Sequence, residues 1–467
     1  MLVKYYILFQ SSPTPRYANM SQRNFTPTGI TLPTVKYVNS ISEEFPNSNR
    51  TYKVESAISN RFQRDHIPIN GNLSNQNITD SYVEFILPSN GNDFISTDSF
   101  YLESSISIVK NDGSALDKDC NVTLIDGFAH RMLLRSSLFL NGIPVENNGF
   151  YGMYNAIRYY LTSPREHLSS SGRNSLYKDI DATIHQPTIT TDDFDSTKIS
   201  ALEKKLISEC KGPINFITPL NLDISSANFY LLNNIDIRLR FDLSPSSLLI
   251  NTCDNEQYKY KVDYMKLWCE KIVPYPSALL SLNKSLNSGN VIDYIFNRPI
   301  IKTFVYPTGH SSLSLDNIFN GVVPHIIYIF FMAQKNLSGN YNSNGAYFTN
   351  AGIENIRLEI NGNTFSSMNG SFPNKVAHMF NHTLNNIKGE NHLLSLQSFR
   401  DGRTIQVYDL RNSDCEDVIS IEKSGNIRIN IQSAKPLIEN LIAFVVGETS
   451  ALIEVDGQRR VKTSYLM

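Results

Sequence analysis

Short stretches in which apolar and polar residues alternate recur along most of this chain. Residues 235–241 (Ile-Asp-Ile-Arg-Leu-Arg-Phe) and 258–264 alternate without interruption, and residues 82–88 and 100–109 show strand character between turn-forming residues. This alternation predicts half-buried β-strands, because successive side chains of a strand point to opposite faces. Residues 325–332 are apolar almost throughout, which favours a strand buried on both faces.

Further strands are predicted in both halves of the chain. They lie within residues 122–145, which hold two or three strands, and at residues 356–360, 404–410, 425–431, 441–446 and 451–456. Many short strands separated by turn residues are typical of a β-sandwich of the jelly-roll type.

Two helices interrupt the β pattern. The apolar positions of the first have helical spacing and end before Pro164; they are Met153, Tyr154, Ile157, Tyr160 and Leu161. The apolar positions of the second are Val376, Met379, Phe380 and Leu384. Spacings of three and four residues predict an amphipathic helix in each place.

Each helix follows a strand and an Asn-Gly pair, which indicates an internal duplication. The pairs are Asn141-Gly142 and Asn361-Gly362, and Asn-Gly is the strongest short-range signal of a hairpin turn. A unit that occurs twice predicts two similar domains in tandem. We therefore predict an all-β protein with two jelly-roll sandwiches, each with one short helix after its Asn-Gly turn. The predicted boundaries are an extended amino-terminal arm at 1–75, the first jelly roll at 76–276, a linker at 277–297 and the second jelly roll at 298–467.

Two long polar segments do not fit the strand pattern. Residues 163–213 and the Asn-rich residues 335–350 carry little periodicity, and long loops in compact domains are usually functional or contact a neighbour. Both are candidates for a tower-like projection or for contacts between subunits.

Composition narrows the possible functions. The net charge of −2 lacks the basic excess of chains that neutralise phosphate backbones, so no direct sequence-specific binding of nucleic acid is predicted. Five scattered cysteines without paired spacing indicate neither a disulfide framework nor a zinc site, and they fit a reducing compartment. No apolar stretch reaches the length of a transmembrane helix. The protein is expected to be soluble and intracellular when made.

The sequence offers few candidates for chemistry. Glycine-rich phosphate loops, nucleophile motifs and zinc-protease motifs are all missing from it. His378 and His382 have metal-competent spacing but lack a third ligand nearby. The acidic residues at 192–195 resemble a solvated loop more than a cation site, and Arg459-Arg460 resembles a strand-end charge pair. We therefore predict no catalytic, cofactor-binding or metal-binding residues, no cofactor, and no enzymatic activity.

Several segments in order resemble the double jelly-roll major capsid proteins of the Polinton/Maverick and adintovirus lineage. They are residues 121–142 with the Tyr-rich helix that follows, 211–215, 231–239, 316–331, 425–431 and 452–461. The resemblance extends from about residue 81 to the carboxyl terminus. The sequence departs from the family pattern in two places. The family usually has two asparagines where this chain has Asp126-Gly127, and it has a fuller Asn-Pro-Phe pattern where this chain has residues 344–348.

The resemblance implies a structural, hexon-like subunit. Three chains would form a pseudo-hexameric capsomer with two jelly rolls per chain, within an icosahedral shell of a double-stranded DNA virus or virus-like element. It further implies neighbouring capsomers and penton and minor capsid proteins as partners, synthesis in the host cytoplasm and a final location in the virion. Two alternatives stay open from sequence: a host-retained capsid-like assembly protein, and a carbohydrate-binding or carbohydrate-cleaving jelly-roll protein, which requires an aromatic platform or paired carboxylates in a cleft.

Overall fold

Antiparallel strands dominate the computed structural model of the chain. The model describes residues 64–70, 72–73, 82–88, 91–117, 120–179, 185–195, 197, 200–227, 229–254, 256–367, 375–387, 392–411 and 423–465. Most of the predicted amino-terminal arm lies outside these residues. Its last part, Arg64–Asn70, pairs as a strand with residues 266–272.

The first half of the chain supplies thirteen of the described strands. They are β1 (Arg64–Asn70), β2 (Asn72–Leu73), β3 (Tyr82–Leu87), β4 (Phe94–Ser96), β5 (Tyr101–Lys110), β6 (Val122–Leu124), β7 (Leu133–Leu140), β8 (Ile143–Asn148), β9 (Ile214–Pro219), β10 (Tyr230–Leu231), β11 (Ile237–Leu243), β12 (Ile250–Thr252) and β13 (Tyr258–Ile272). We call the two main sheets of these strands the first sandwich.

The second half supplies the remaining described strands. They are β14 (Ile292–Tyr306), β15 (Ser312–Leu315), β16 (Val322–Val323), β17 (Ile326–Ala333), β18 (Ile353–Ile360), β19 (Asn363–Ser367), β20 (Ile405–Asp409), β21 (Lys423–Ser424), β22 (Ile427–Ser433), β23 (Leu441–Val455) and β24 (Val461–Tyr465). Their two main sheets form the second sandwich.

Helices lie between strands in both halves. They are α1 (Phe128–Arg131), α2 (Tyr151–Thr162), α3 (Ser171–Asn174), α4 (Ala201–Glu209), α5 (Ser246–Leu249), α6 (Pro276–Asn287), α7 (Lys375–Asn386) and α8 (Leu396–Arg400). Short 3-10 turns occur at Arg165–Ser169, Thr191–Phe194, Asp223–Ala227 and Gln334–Leu337. The two predicted helices correspond to α2 and α7.

Both sandwiches have the same strand order. In the first, the sheets contain β1-β13-β5-β9 and β3-β11-β7-β8; in the second they contain β14-β23-β17-β20 and β15-β22-β18-β19. If the eight strands of each sandwich are numbered along the chain, both give 1-8-3-6 and 2-7-4-5. This order is that of a jelly roll, so the fold is two jelly rolls in tandem, as the sequence predicted.

The two Asn-Gly hairpins are alike in detail. Asn141 and Gly142 have φ of 49° and 79°, and Asn361 and Gly362 have 52° and 80°, the positive values of a type I′ turn. Both hairpins shift register two residue pairs before the turn. The Asn141 side chain accepts from Asp236 N at 2.7 Å, and the Asn361 side chain accepts from Asn426 N at 2.8 Å. The duplication therefore extends to single hydrogen bonds.

A helix lies within the predicted linker. Residues 276–287, which are rich in serine and asparagine, form helix α6 with Pro276 in its first turn, where a missing N–H costs nothing. Leu282 and Leu286 of this helix are buried in the hydrophobic core of the first sandwich. The helical spacing of the leucines decides the secondary structure of this segment, although most of its residues are polar.

The predicted break between two strands near residues 447–450 is wrong, because β23 runs without interruption from Leu441 to Val455. Its polar residues Glu448, Thr449 and Ser450 all pair with β14 and are buried. The start of β14 and the end of β23 contribute Tyr294, Ile453 and neighbouring side chains to the core of the first sandwich. Long strands of the second sandwich thus reach into the first.

The Asn-Gly turns give a first prediction. We expect Gly362→Ala to lower the free energy of unfolding by about 1–2 kcal/mol, because a Cβ disfavours a positive φ. Chemical denaturation would measure the change. Gly149→Ala is the matched control, since no atom lies within 4 Å of its added Cβ and its φ is not in the left-handed region. Equal effects of the two substitutions would contradict the argument.

Candidate functional site at the interface between the two sandwiches

Helix α2 lies between the two sandwiches. On one side its Tyr151 packs against Phe241 of the first sandwich, with ring centroids 5.4 Å apart. On the other side its Tyr154 hydroxyl donates to Glu448 of the second sandwich at 2.6 Å. Thr162 is its only exposed residue. A helix with aromatic residues around most of its circumference is stable only when it is buried on several sides.

A fully buried ion pair crosses the interface. Arg403, in the loop before β20, donates through Nη2 to Asp126 Oδ2 at 2.6 Å and to the Lys178 carbonyl at 3.0 Å. The Tyr160 hydroxyl of α2 donates to the same Asp126 oxygen at 2.8 Å, and Lys178 N donates to the other at 2.8 Å. The guanidinium also lies 4.4 Å from the centre of the Tyr160 ring, a cation–π geometry.

The surroundings keep this pair charged. Burial by itself would raise the pKa of Asp126, but the Arg403 charge and the Lys178 N–H outweigh burial and lower that pKa to about 2. Burial would likewise lower the pKa of Arg403, whereas Asp126 and Tyr160 raise it above its ordinary value. A buried charge is tolerated only with a partner, so each residue depends on the other.

The long segment 163–213 supplies part of this interface. Its Lys178 is buried and donates to Thr123 Oγ1 at 2.9 Å, and it pairs with buried Glu203 at 3.5 Å. Thr123 in turn donates to Glu203 at 2.9 Å. The segment, which the sequence indicated as a long polar loop, contains α3, α4 and 3-10 turns. Its Lys178 and Glu203 pair inside the protein.

The two segments singled out as candidate contact loops meet each other. Ile189 N donates to the Asn342 carbonyl at 2.7 Å, and Asn344 N donates to the Pro187 carbonyl at 3.3 Å. Asn344 also lies 3.5 Å from the buried ring of His185. These residues of the two segments therefore contact each other within one chain.

A second polar cluster contains two buried carboxyl groups. Glu146 accepts from Asp223 N at 2.7 Å and from the Ser136 hydroxyl. Burial raises the pKa of Glu146 to about 7. Burial and the neighbouring Glu146 raise the pKa of Asp223 well above its ordinary value, against the attraction of Arg298 from the second sandwich. Burial and mutual repulsion therefore favour the protonated form of these two neighbouring carboxyl groups.

The carboxyl-terminal hairpin adds a third link. Arg459, with φ of 61°, donates to the Asn233 carbonyl at 2.9 Å and to its side chain at 2.6 Å. The Arg459 carbonyl accepts from Asn141 at 2.7 Å. Arg460 forms an exposed pair with Asp456. The interpretation as a strand-end charge pair therefore fits Arg460, whereas Arg459 joins the two halves of the chain.

The other candidates from sequence have structural partners. Asp193 completes a capping box with Thr190, and Asp195 accepts from Thr197. The His382 ring lies 5.0 Å from the Tyr408 ring. Within the ranges described above, no group of three or more His, Cys, Asp and Glu could hold a metal ion. None of the helices in those ranges has the length and hydrophobicity to cross a membrane.

Sequence reasoning missed the interface residues because their partners are distant. Asp126 and Arg403 are 277 residues apart. A single carboxylate within the apolar residues 122–129 was the available signal of a buried charge, but nothing local identifies its partner.

The Arg403–Asp126 pair gives a second prediction. We expect Arg403→Met to lower the free energy of unfolding by about 3–5 kcal/mol, because it leaves Asp126 charged and buried. Adding Asp126→Asn should recover about 2 kcal/mol or more of that loss. Denaturant titrations of the two single variants and the double variant would measure the coupling. Arg460→Met, which breaks an exposed pair, should cost under about 1 kcal/mol. Additive losses in the double variant would contradict a direct interaction.

The Glu146–Asp223 cluster gives a third prediction. A carboxyl group whose pKa is higher in the folded protein binds more protons when folded. Its contribution to stability is therefore full below the ordinary pKa of 4.5 and is lost as the pH rises through about 7. We expect wild type to lose on the order of 2 kcal/mol more stability than Glu146→Gln between about pH 5 and about pH 8. The difference between the two proteins cancels the contributions of buried histidines. Parallel stability–pH curves would contradict the assignment.

The fold is shared with solved viral capsid structures. No family model and no curated protein matches the sequence. The mavirus major capsid protein has 12% identity and a TM-score of 0.52, with 95% of this chain and 97% of that chain covered. A chain of the Sputnik virophage has 10% identity, a TM-score of 0.57 and coverages of 95% and 94%. PBCV-1 VP54, as fitted into a Sputnik reconstruction, has 10% identity, a TM-score of 0.55 and coverages of 89% and 99%. At these identities the likeness is one of fold, and the chain has the all-β, tandem jelly-roll fold of viral major capsid proteins.

Proposed function

We propose that this chain is a major capsid protein whose copies form trimeric, pseudo-hexameric capsomers. The shell would be the icosahedral capsid of a double-stranded DNA virus or virus-like element of the Polinton/Maverick and adintovirus lineage. The protein would act in the virion as a structural component without catalytic activity. It would be made in the host cytoplasm and assemble with neighbouring capsomers and with penton and minor capsid proteins.

The observation that carries the proposal is the strand order repeated in the two sandwiches. One chain with two similar lobes gives six similar lobes when three copies associate around a three-fold axis. Closed rotational symmetry of this kind lets a single chain form a roughly hexagonal unit. The fold shared with the mavirus major capsid protein supports the same conclusion.

The interface inside the chain also supports it. The Arg403–Asp126 pair and the Arg459 contacts with Asn233 join the two sandwiches through buried or half-buried charges. Because these contacts are directional, they hold the lobes at one angle. Fixed geometry is what a repeating lattice requires of its subunit. The net charge of −2 would also let copies approach without strong repulsion.

The alternatives make different predictions. A host-retained capsid-like protein would share the fold and assembly, so it differs only in biological role. A carbohydrate-acting protein would need an aromatic platform or paired carboxyl groups in a cleft. The paired carboxyl groups of Glu146 and Asp223 are 1% and 4% exposed and lie in the interior. This pair therefore gives the carbohydrate alternative no support.

The proposal predicts the mass of the protein in solution. Light scattering on a sizing column should give a species near three times 52.8 kDa, or larger shells built from it. Negative-stain images of that species should have a six-cornered outline. A monomer over a wide range of concentration and salt would contradict the proposal. A monomer whose melting temperature rises with a glycan would favour the carbohydrate alternative instead.

A further inference from the structure

One face of the second sandwich is covered by the first sandwich. On the outer face of the β14-β23-β17-β20 sheet, Phe444 stacks on Phe330 at 4.8 Å, and Phe150 packs edge-on against Phe444 at 5.8 Å. Glu448 accepts from Tyr328 of the same sheet at 3.0 Å and from Tyr154 of α2 at 2.6 Å. The face therefore consists of aromatic rings around one carboxylate, covered by the start of α2 and the residue before it.

The corresponding face of the first sandwich has a similar construction, and among the described residues it is half-buried to exposed. On the outer face of β13 and β5, the rings of Tyr101 and Trp268 stack with centroids 5.9 Å apart and planes 7° apart. Glu103 accepts from Trp268 Nε1 at 2.7 Å and from the Tyr264 hydroxyl at 3.3 Å. Ile217 of β9 lies beside Glu103 in the sheet. We call these five residues the aromatic face.

The aromatic face is exposed to solvent in the single chain. Tyr264 is 38% exposed and Ile217 is 46% exposed. Tyr and Trp side chains are enriched at the centre of protein interfaces, and here they also satisfy the one carboxylate among them. Glu103 lies on β5, the third of the eight strands of the first sandwich, and Glu448 lies on β23, the eighth strand of the second sandwich. Because these strands are neighbours in both sheets, the two glutamates occupy similar central positions.

The chain itself indicates what covers the aromatic face. Helix α2 follows strand β8 and covers the next sandwich, and α7 follows the corresponding strand β19. Both helices have twelve residues, and His378 is the fourth residue of α7 as Tyr154 is the fourth residue of α2. In a ring of lobes, the sandwich next to the second sandwich is the first sandwich of another copy.

Hydrogen-bonding capacity supports the same occupant. Helix α7 contains His378 and His382 and no acidic residue, and its Lys375 pairs with Glu354 of β18. Its side chains Asn381 and Asn385 are exposed. An imidazole N–H is a suitable donor to a carboxylate, as the Tyr154 hydroxyl is to Glu448. Complementary donors and acceptors of this kind fix the register of an interface.

We propose that α7 of one copy packs on the aromatic face of another copy, with His378 directed toward Glu103. This inference rests on the proposed capsomer, because it assigns the contact that joins one chain to the next. It makes the contact between copies a counterpart of the contact that α2 forms inside each chain.

The test is a surface variant with a matched control. Ile217→Glu with Tyr264→Glu should raise the concentration at which trimers dissociate by at least about tenfold and leave the monomer folded by circular dichroism. Ile86→Glu is the control, because Ile86 is 50% exposed on a strand of the other sheet of the same sandwich. It should keep the trimer. A double variant that stays trimeric at wild-type concentrations would overturn this inference and leave the capsomer proposal standing. A monomeric wild type would overturn both.

A crosslink identifies the occupant independently of folding effects. A benzophenone amino acid in place of Tyr264, irradiated in a mixture of nitrogen-15-labelled and unlabelled copies, should form mixed-isotope crosslinks to the peptide that contains residues 375–386. Crosslinks between copies to a different segment, or none to a second copy in trimeric protein, would overturn the assignment to α7.

Discussion

The arrangement of the two sandwiches depends on one buried ion pair. Arg403 and Asp126 are 2% and 0% exposed, so bulk solvent stabilises neither charge. A buried charge is tolerated only while its partner is present, so a rotation that parts Arg403 from Asp126 while both stay buried leaves two unpaired ions. Tyr160 and the Lys178 backbone complete the shell of hydrogen bonds around Asp126. The pair thus adds modest net stability and strongly disfavours other orientations of the two halves.

Around this pair, buried carboxylates accept hydrogen bonds from hydroxyl and N–H donors, some from the same half of the chain and some from the other. Glu448 interrupts the apolar pattern of β23, and its carboxylate is satisfied by Tyr154 and Tyr328. Glu146 is satisfied by Ser136 and by the Asp223 backbone. Because every buried acceptor of this kind requires its own donor, the interface is specified residue by residue. That specification explains why β23 continues through a stretch whose polar residues suggested a break.

Local periodicity allowed many strands, a helix and the turns to be predicted. Contacts between residues far apart in the sequence could not be predicted in this way. The strands at 82–87 and 258–272, helix α2 and both Asn-Gly turns follow from spacing within about fifteen residues. Residues 234–239 and 426–431 are similar in sequence with Asn234 aligned to Asn426. In the structure, hydrogen bonds instead align Asn426 with Asp236, a shift of two that keeps every side chain on its face. The partner of Asp126 lies 277 residues away, and no local pattern selects it. Helix α6 was missed because serine and asparagine obscured its leucines.

The contact between the two sandwiches of one chain differs in chemistry from the contact that we propose between copies. Inside the chain, the sandwiches share buried charges, such as Arg403 with Asp126, that would be costly to expose separately. These residues belong to one polypeptide and become buried together when it folds. The aromatic face pairs its carboxylate with Trp268 and Tyr264 from its own sheet, so Glu103 has hydrogen-bond partners before any second copy arrives. A surface whose charge is already satisfied can remain in water and still bury aromatic area on contact. The proposed capsomer therefore does not require the copies to fold together, because Glu103 is satisfied within its own chain.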